Sequence, residues 1–575
     1  MKRVVALLLL AAMLTVGLCS CSEPDMTDMG AIIPMYLASA QTDLDPTEMI
    51  YDKDFIKVSG LLFEGLTRVN SSGKIEPLLA SKWETKYNED RGEYFLYVDI
   101  VYSRWNDGRT LTADHFVYAW KRILSPETAS PAAALLYDIK NAREVKAGNM
   151  TIDDLGVAAL DGDTLEIQFE TAIDPELFLE AASSPALVPM RDDAIQGKED
   201  TWSTNTSDLS TNGPFSIKAM NADGEYRIDF SKYYRLEKNP EKGYNEYVKP
   251  YRLVTDFSKH TSFEEAVTAF KNGEIYYVGA FDSATYDANK KEIKSSETLS
   301  SYTYFFDCEN EVLSSAKVRK ALSLALSREE IASIIGMGST AAEGFVSGVA
   351  TGSTMKKSFR NEAGAVYKTS AQVDEAKSLL GEAGVSSGEF AITYRTDRDY
   401  DVKVAEYAKG VWESLGFTVT LDGKDSAAYE TALYSGGFDV IALDYQALST
   451  NAYSALAPFA PTYSGNVVTV DIETATISKH VTAYESEAYT ALLDEILTLT
   501  DRSARAKKLV ELEKILAEDC PAIALSFYAH NYLVSSELKG LEVSPYGYTI
   551  FTNGDLKDYK EKNAAYEAAN MATAE

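Results

Sequence analysis

Four histidines, His115, His260, His480 and His530, are the only imidazoles in the 575-residue chain. No two share the spacing of metal ligands and no His-Glu-x-x-His segment occurs, so a zinc or nickel centre has no donor set to start from. His115 lies inside a helical pattern and reads as a packing or surface residue. No Gly-x-Ser-x-Gly turn exposes a nucleophilic serine. No P-loop is present, and no Gly-x-Gly-x-x-Gly follows a strand. The carboxylates are many but dispersed, so no acid–base pair stands out. Catalysis, metal binding and a cofactor are therefore all without a sequence signal. The side chain in excess is tyrosine, with 36 against 22 Phe and 5 Trp. Tyrosine joins apolar area to a polar tip, which suits a ligand groove as well as ordinary packing.

Lys and Arg total 55 against 87 Asp and Glu, a net charge of −32. A surface this acidic repels phosphate backbones and anionic lipid, which argues against nucleic acid as a partner. The first residues set the compartment. Lys2 and Arg3 precede an apolar run from Val4 to Leu18, short for a membrane span and typical of a signal-peptide core. Leu18-Cys19-Ser20-Cys21 resembles the bacterial lipoprotein signal. Residues 1–20 are then the signal peptide, Cys21 the lipidated N-terminus and 21–30 a polar tether. Two acyl chains on that cysteine give stable anchoring. Cys308 and Cys520 remain, and sequence leaves open a disulfide or two buried thiols.

The elements that must position any site follow from periodicity. Phe215-Ser-Ile217-Lys-Ala219 and Tyr226-Arg-Ile228-Asp-Phe230 alternate about Asn221-Ala-Asp-Gly224, the pattern of a hairpin. Leu165, Ile167 and Phe169, and the run Tyr94 to Ile100, predict two more strands. Thr112 N-caps a helix that puts Phe116, Ala119, Trp120 and Ile123 on one face. Val318, Ala321, Leu322 and Ala325 form another apolar stripe. Ser327-Arg-Glu-Glu330 is a capping box for a helix with Ile331, Ile334 and Ile335, ended by Gly336. Val373, Ala376 and Leu380 repeat the pattern to Gly384, and 488–518 predict two helices with Leu509, Leu512 and Leu516 on one side. The expectation is a mixed α/β protein of several lobes, with a flexible tail at 560–575.

Leu62-Phe-Glu-Gly-Leu66, Ile75-Glu-Pro-Leu-Leu-Ala-Ser-Lys-Trp83 and the segment Trp105-Asn-Asp-Gly-Arg109 through Trp120 occur in that order. Thr211-Asn-Gly-Pro-Phe215, Val318-Arg-Lys-Ala-Leu322, Ala376-Lys-Ser-Leu-Leu380 and Phe438-Asp-Val440 follow. Together they make the chain, over about 40–550, resemble the family 5 solute-binding proteins of ABC importers. The resemblance implies a periplasmic-binding-protein-like α/β fold (type II, cluster C-like): two lobes, a hinge and an extra inserted domain. Lobe I would comprise 31–63, 185–304 and 531–559, the extra domain 64–184, and lobe II 305–530. Asp107 and Gly108 are then a turn of the scaffold.

The resemblance further implies a monomeric receptor on the outer face of the cytoplasmic membrane, in the periplasm or at the cell surface. It would pass a peptide to ABC permease subunits with cytoplasmic ATPases. Relatives pair peptide main chain with protein strands and hold its ammonium with an aspartate beyond the Phe-Asp-Val segment. Counted without gaps, that position is Leu448 here, and the nearest acid is Asp444, followed by Tyr445. Ala132 stands where oligopeptide binders can present a tyrosine. Asp444 and Tyr445, with Arg395, Tyr400 and Tyr51, are the ligand-binding candidates, Arg395 as a bidentate carboxylate partner. An oligosaccharide or other non-peptide ligand, or a surface sensor, are the alternatives, with an exported hydrolase a remote one.

Overall fold

The structure is a computed structural model. It describes residues 30–573 except 38–42, 48–54, 71, 200, 205–208, 221–224, 232–233, 236–246, 258 and 466–481. The signal peptide, Cys21, nearly all of the tether, Tyr51, His480 and the 221–224 turn lie outside the described residues.

Its frame is one continuous sheet crossed by two long antiparallel strands, Lys294–Phe306 and Ala522–Val534. On one side the sheet continues through Val440–Gln446, Gly388–Arg395 and Phe417–Lys424. The last two run parallel, joined by the helix Asp399–Glu413, and the helix Ser426–Ser435 leads back to Val440. On the other side it continues through Tyr277–Val278, Ala31–Tyr36, Pro250–Asp256 and the hairpin Glu225–Phe230 with Phe215–Met220. Stretches far apart in sequence thus build one half, because Ala31–Tyr36 pairs in parallel with both Pro250–Asp256 and Tyr277–Val278. Tyr277 in turn pairs with Val534.

One hydrophobic cluster runs through both halves, and the 388–446 side carries a second of its own. Trp412, fully buried, centres the cluster of Tyr304, Phe306, Phe390 and Val318 on the 388–446 side, and its indole N–H donates to the Leu322 carbonyl at 3.0 Å. A separate four-stranded antiparallel sheet, Ala80–Asn88, Glu93–Ile100, Thr164–Phe169 and Val157–Ala159, stands beside the frame. The helix Ala113–Leu124 packs on it with Phe116, Ala119, Trp120 and Ile123 all buried.

The helices predicted from periodicity form at Ala316–Ala325, Arg328–Ile335, Val373–Ala383, Glu487–Thr498 and Arg502–Asp519. Ser327 accepts the Glu330 amide, and Gly336 and Gly384 take positive φ at helix ends, where a Cβ would be strained. The predicted tail is corrected: Tyr559–Thr573 is a helix. Its alanines favour that state. Asn563, fully buried, accepts the Ile32 amide and donates to the Gly30 carbonyl. Cys308 and Cys520 are free thiols, and burial pushes them up to about 11 and about 12. Among the described residues no helix is long and apolar enough to cross a membrane.

Candidate functional site

The two long strands lose register where they pass between the halves. Glu297 pairs with Ala529 and Ser301 with Phe527, so 298–300 face a single residue, Tyr528. A bulge of this kind bends a strand and re-aims its side chains. Leu299 leaves the ladder, its amide donating to the Pro545 carbonyl and its carbonyl accepting the Ala447 amide. The Thr298 hydroxyl donates to the Tyr528 carbonyl at 3.1 Å.

Over this bulge lies a cavity of about 460 Å³. Its floor is Thr298, Ser300 and Tyr528 to Asn531, one wall is Lys57, Phe263 and 279–284, and the other is 397–400 with Lys403. Tyr546 and Gly547 close one end and Met337 another. The volume falls in the range of about 300–1,000 Å³ usual for small-ligand sites. The walls come from opposite halves of the sheet, so a rotation about the long strands would open or close it. A smaller cavity of about 320 Å³ lies near Glu297, whose carboxylate is taken up by the Ser347 hydroxyl and the Gly348 amide.

The loop 395–399 shapes the charge. The strand Gly388–Arg395 ends here and the helix Asp399–Glu413 begins. Arg395 grips Asp397 through Nε and Nη2, and these bonds hold that carboxyl below its usual range. Arg398 Nη1 reaches Asp444 Oδ2 at 2.8 Å, and the Tyr528 hydroxyl donates to Asp444 Oδ1 at 2.5 Å. Burial works against the charge on Arg398, but Asp444, Tyr400, Asp401 and Tyr528 together more than offset it and the guanidinium stays above its ordinary range. Burial and Asp444 push the Tyr528 phenol well up, so it remains a donor. On the facing wall Asp282 caps the helix Ser283–Asn289, accepting the Thr285 amide and hydroxyl.

Of the residues picked from sequence, Tyr400 lines the cavity, its ring edge-on to Tyr528 at 6.4 Å and to Tyr302 at 6.1 Å. Arg395 stands behind the wall as the partner of Asp397. Asp444 is 4% exposed and sits behind Arg398 and Tyr528, not on the wall. Tyr445 points to the other face of its strand, as alternation requires. There its hydroxyl donates to the Ala455 carbonyl and its ring packs on Phe305 and Phe345. Asp444 thus has Arg398 and Tyr528 between it and the cavity, and Tyr445 faces away from the cavity. Ala132 is fully buried at the start of a short helix, Pro131–Leu136. Arg398, Tyr528, Lys57, Lys403 and Tyr546 are wall residues that sequence reasoning missed. Only the dense Arg-Thr-Asp-Arg-Asp-Tyr run at 395–400 hinted at one of them. Among the described residues no cluster of three or more His, Cys, Asp or Glu could hold a metal ion.

Residues 74–466 match the family model described as bacterial extracellular solute-binding proteins, family 5 middle. The oligopeptide-binding protein OppA of Bacillus subtilis is 27% identical over 511 residues, 86% of this chain and 87% of that protein. The Escherichia coli murein tripeptide binding protein MppA superposes with a TM-score of 0.72 at 23% identity, covering 92% of this chain and 98% of that one. An unliganded open form of MppA, with the same coverages, gives 0.57 at 23%.

Proposed function

The chain belongs to the bacterial extracellular solute-binding proteins of family 5, and from that premise we propose that it is the peptide receptor of an ABC importer. The observation that carries this reading is the cavity of about 460 Å³ between the two halves, seated on the bulge of the strands that join them. Ligand held between both walls would favour closure by its differential affinity for the closed form, and a permease with cytoplasmic ATPases would respond to that closure. The receptor works as a monomer and leaves its ligand chemically unchanged. Lipid on Cys21 would hold it at the outer face of the cytoplasmic membrane.

Peptide suits a cleft floored by strands, where an extended chain can be held through its main chain without its sequence being read. The aromatic lining, Tyr400, Tyr528, Tyr546, Phe263 and Phe281, favours an oligosaccharide as the second reading. Mass spectrometry of the purified 22–575 protein before and after refolding separates the two. Mixed peptide masses that vanish on refolding and return from a peptide digest support the first. A protein that ignores the digest and takes up oligosaccharide supports the second. For anchoring, Cys21→Ala is expected to move the full-length protein from the membrane fraction to the soluble exported fraction. Retention in the membrane fraction would contradict the lipid.

A further inference from the structure

The second cavity, of about 320 Å³, shares no lining residue with the first. The chain passes from one to the other within a residue. Ser296 and Glu297 line the second and Thr298 and Ser300 the first, and in the same way Ser544 and Pro545 line the second and Tyr546 and Gly547 the first. Three parts of the molecule meet around it: the tip of the hairpin Thr67–Val69 with Ile75–Pro77, the long strand at Glu297, and the loop 348–358. Two glycines let them come this close. A Cβ on Gly73 would stand 2.5 Å from the Met355 carbonyl oxygen, and one on Gly348 would stand 2.8 Å from Glu297 Oε1.

The lining has an apolar side and two charges. Val69, Val349, Met355, Val543 and Pro545 make the apolar side. Glu297 is half-buried, and its Oε1 accepts both the Ser347 hydroxyl at 2.9 Å and the Gly348 amide at 2.8 Å. Its Oε2 has no hydrogen-bond or ion-pair partner among the described residues. Lys357 pairs with Glu362 at 3.3 Å, but Lys356 has no carboxylate partner among the described residues. At about 30 Å³ for each water-sized atom, the cavity has room for roughly ten non-hydrogen atoms.

We propose that this cavity is a second binding site, separate from the one over the bulge, and that it takes a free aliphatic amino acid. The ammonium meets Glu297 Oε2, the carboxylate meets Lys356, and the side chain lies on the apolar side. Glu297 is already held by two donors, so little ordering is left to do when a cation arrives at its other oxygen. Lys356 is exposed at the rim, where a flexible cation can follow the carboxylate of ligands that differ in size. Leucine, valine and methionine, with roughly eight or nine non-hydrogen atoms, match the volume. The inference goes beyond the reading of the chain as a peptide receptor and does not depend on it.

The test uses the 22–575 protein, stripped by unfolding and refolding, and calorimetry with leucine, glutamate, N-acetyl-leucine and leucinamide. Leucine is expected to bind more tightly than glutamate. Acetylation and amidation should each weaken it by about tenfold or more, the worth of a charged hydrogen bond. Glu297→Gln keeps an acceptor for Ser347 and Gly348 and is expected to fold. In that variant leucine and N-acetyl-leucine should bind alike. Lys356→Met, at an exposed position, should make leucine and leucinamide bind alike, and it keeps the proposal testable if Glu297→Gln does not fold. No heat with leucine at about 1 mM would overturn the proposal, as would tighter binding of glutamate. Leucine binding unchanged in both variants would place the amino acid elsewhere and overturn it too. A peptide digest, offered to the parent and to Glu297→Gln, should give the same bound masses. Loss of peptide together with leucine would make the two cavities one site and overturn their separation. A parent that takes leucine but no peptide would overturn the peptide reading and leave this one standing.

Discussion

Glu180 is fully buried at the end of the helix Pro175–Ala181, which follows the four-stranded sheet in the chain. Its carboxylate joins that unit to the half of the molecule that carries residues 351, 450 and 502. It accepts from the hydroxyls of Thr351 at 2.5 Å and Thr450 at 2.6 Å, from Asn451 at 3.3 Å, and from Arg502 Nη2. Arg502 is only 5% exposed, so Glu180→Gln leaves a guanidinium buried with no carboxylate. Breaking a buried pair from one side costs about 3–5 kcal/mol. Unfolding entropy is about 2.1 cal/mol/K per residue, or roughly 1.1 kcal/mol/K for roughly 540 residues unfolding together. The expected loss in Tm is then about 3–5 °C. If the 64–184 unit melts by itself, the same cost over roughly 120 residues is about 12–20 °C, and calorimetry would show it as a separate early peak. Glu180→Leu with Arg502→Met removes both charges and is expected to recover most of the loss. A Glu180→Gln protein that melts within about 1 °C of the parent would refute the reasoning, because the pair would then have to be solvated.

His115 caps its helix by accepting the Thr112 amide on Nδ1 at 2.9 Å, and burial holds its pKa below 6.5. Its contribution to stability is complete above 6.5, the ordinary value, and is lost as pH falls from there toward the folded value. His115→Gln keeps an acceptor without a proton to gain. Parent-minus-variant stability from denaturant titrations should therefore decline between pH 7 and 5, and a flat difference would contradict the cap. Gly547 has φ +92 at the cavity's end, and a Cβ there would stand 3.1 Å from Thr298 Cγ2 at the bulge. Gly547→Ala is expected to cost about 1–3 kcal/mol and to weaken ligand binding, and calorimetry showing unchanged affinity would separate that end from the site. Cys308 and Cys520 should resist a thiol reagent in the native 22–575 protein and both react after unfolding. Absence of thiols in the unfolded protein would mean a disulfide.

Local elements were legible because their causes are local. Thr112 with the stripe Phe116–Ile123, Ser327 with Glu330, and Gly336 with Gly384 each act within a few residues, and the helices end where those residues say. The family resemblance made the two-lobed fold legible as well. The site was less so. The Arg398–Asp444 bond spans 46 positions and the Tyr528–Asp444 bond 84, and no periodicity encodes such distances. Tyr445 shows the limit of motif reading: one step along the strand from Asp444, it faces the opposite side of the sheet. The tail misled for the reverse reason. Few large apolar residues suggested fraying, whereas alanine propensity and one buried asparagine, Asn563, hold the helix in place.

The central claim is that the cavity over the bulged strands holds peptide. Mass spectrometry under native conditions, on the 22–575 protein as purified and again after unfolding and refolding, tests it most directly. The account predicts bound peptides of mixed mass in the first sample, a bare protein in the second, and their return on adding a peptide digest. A protein that stays bare in the presence of the digest would contradict it.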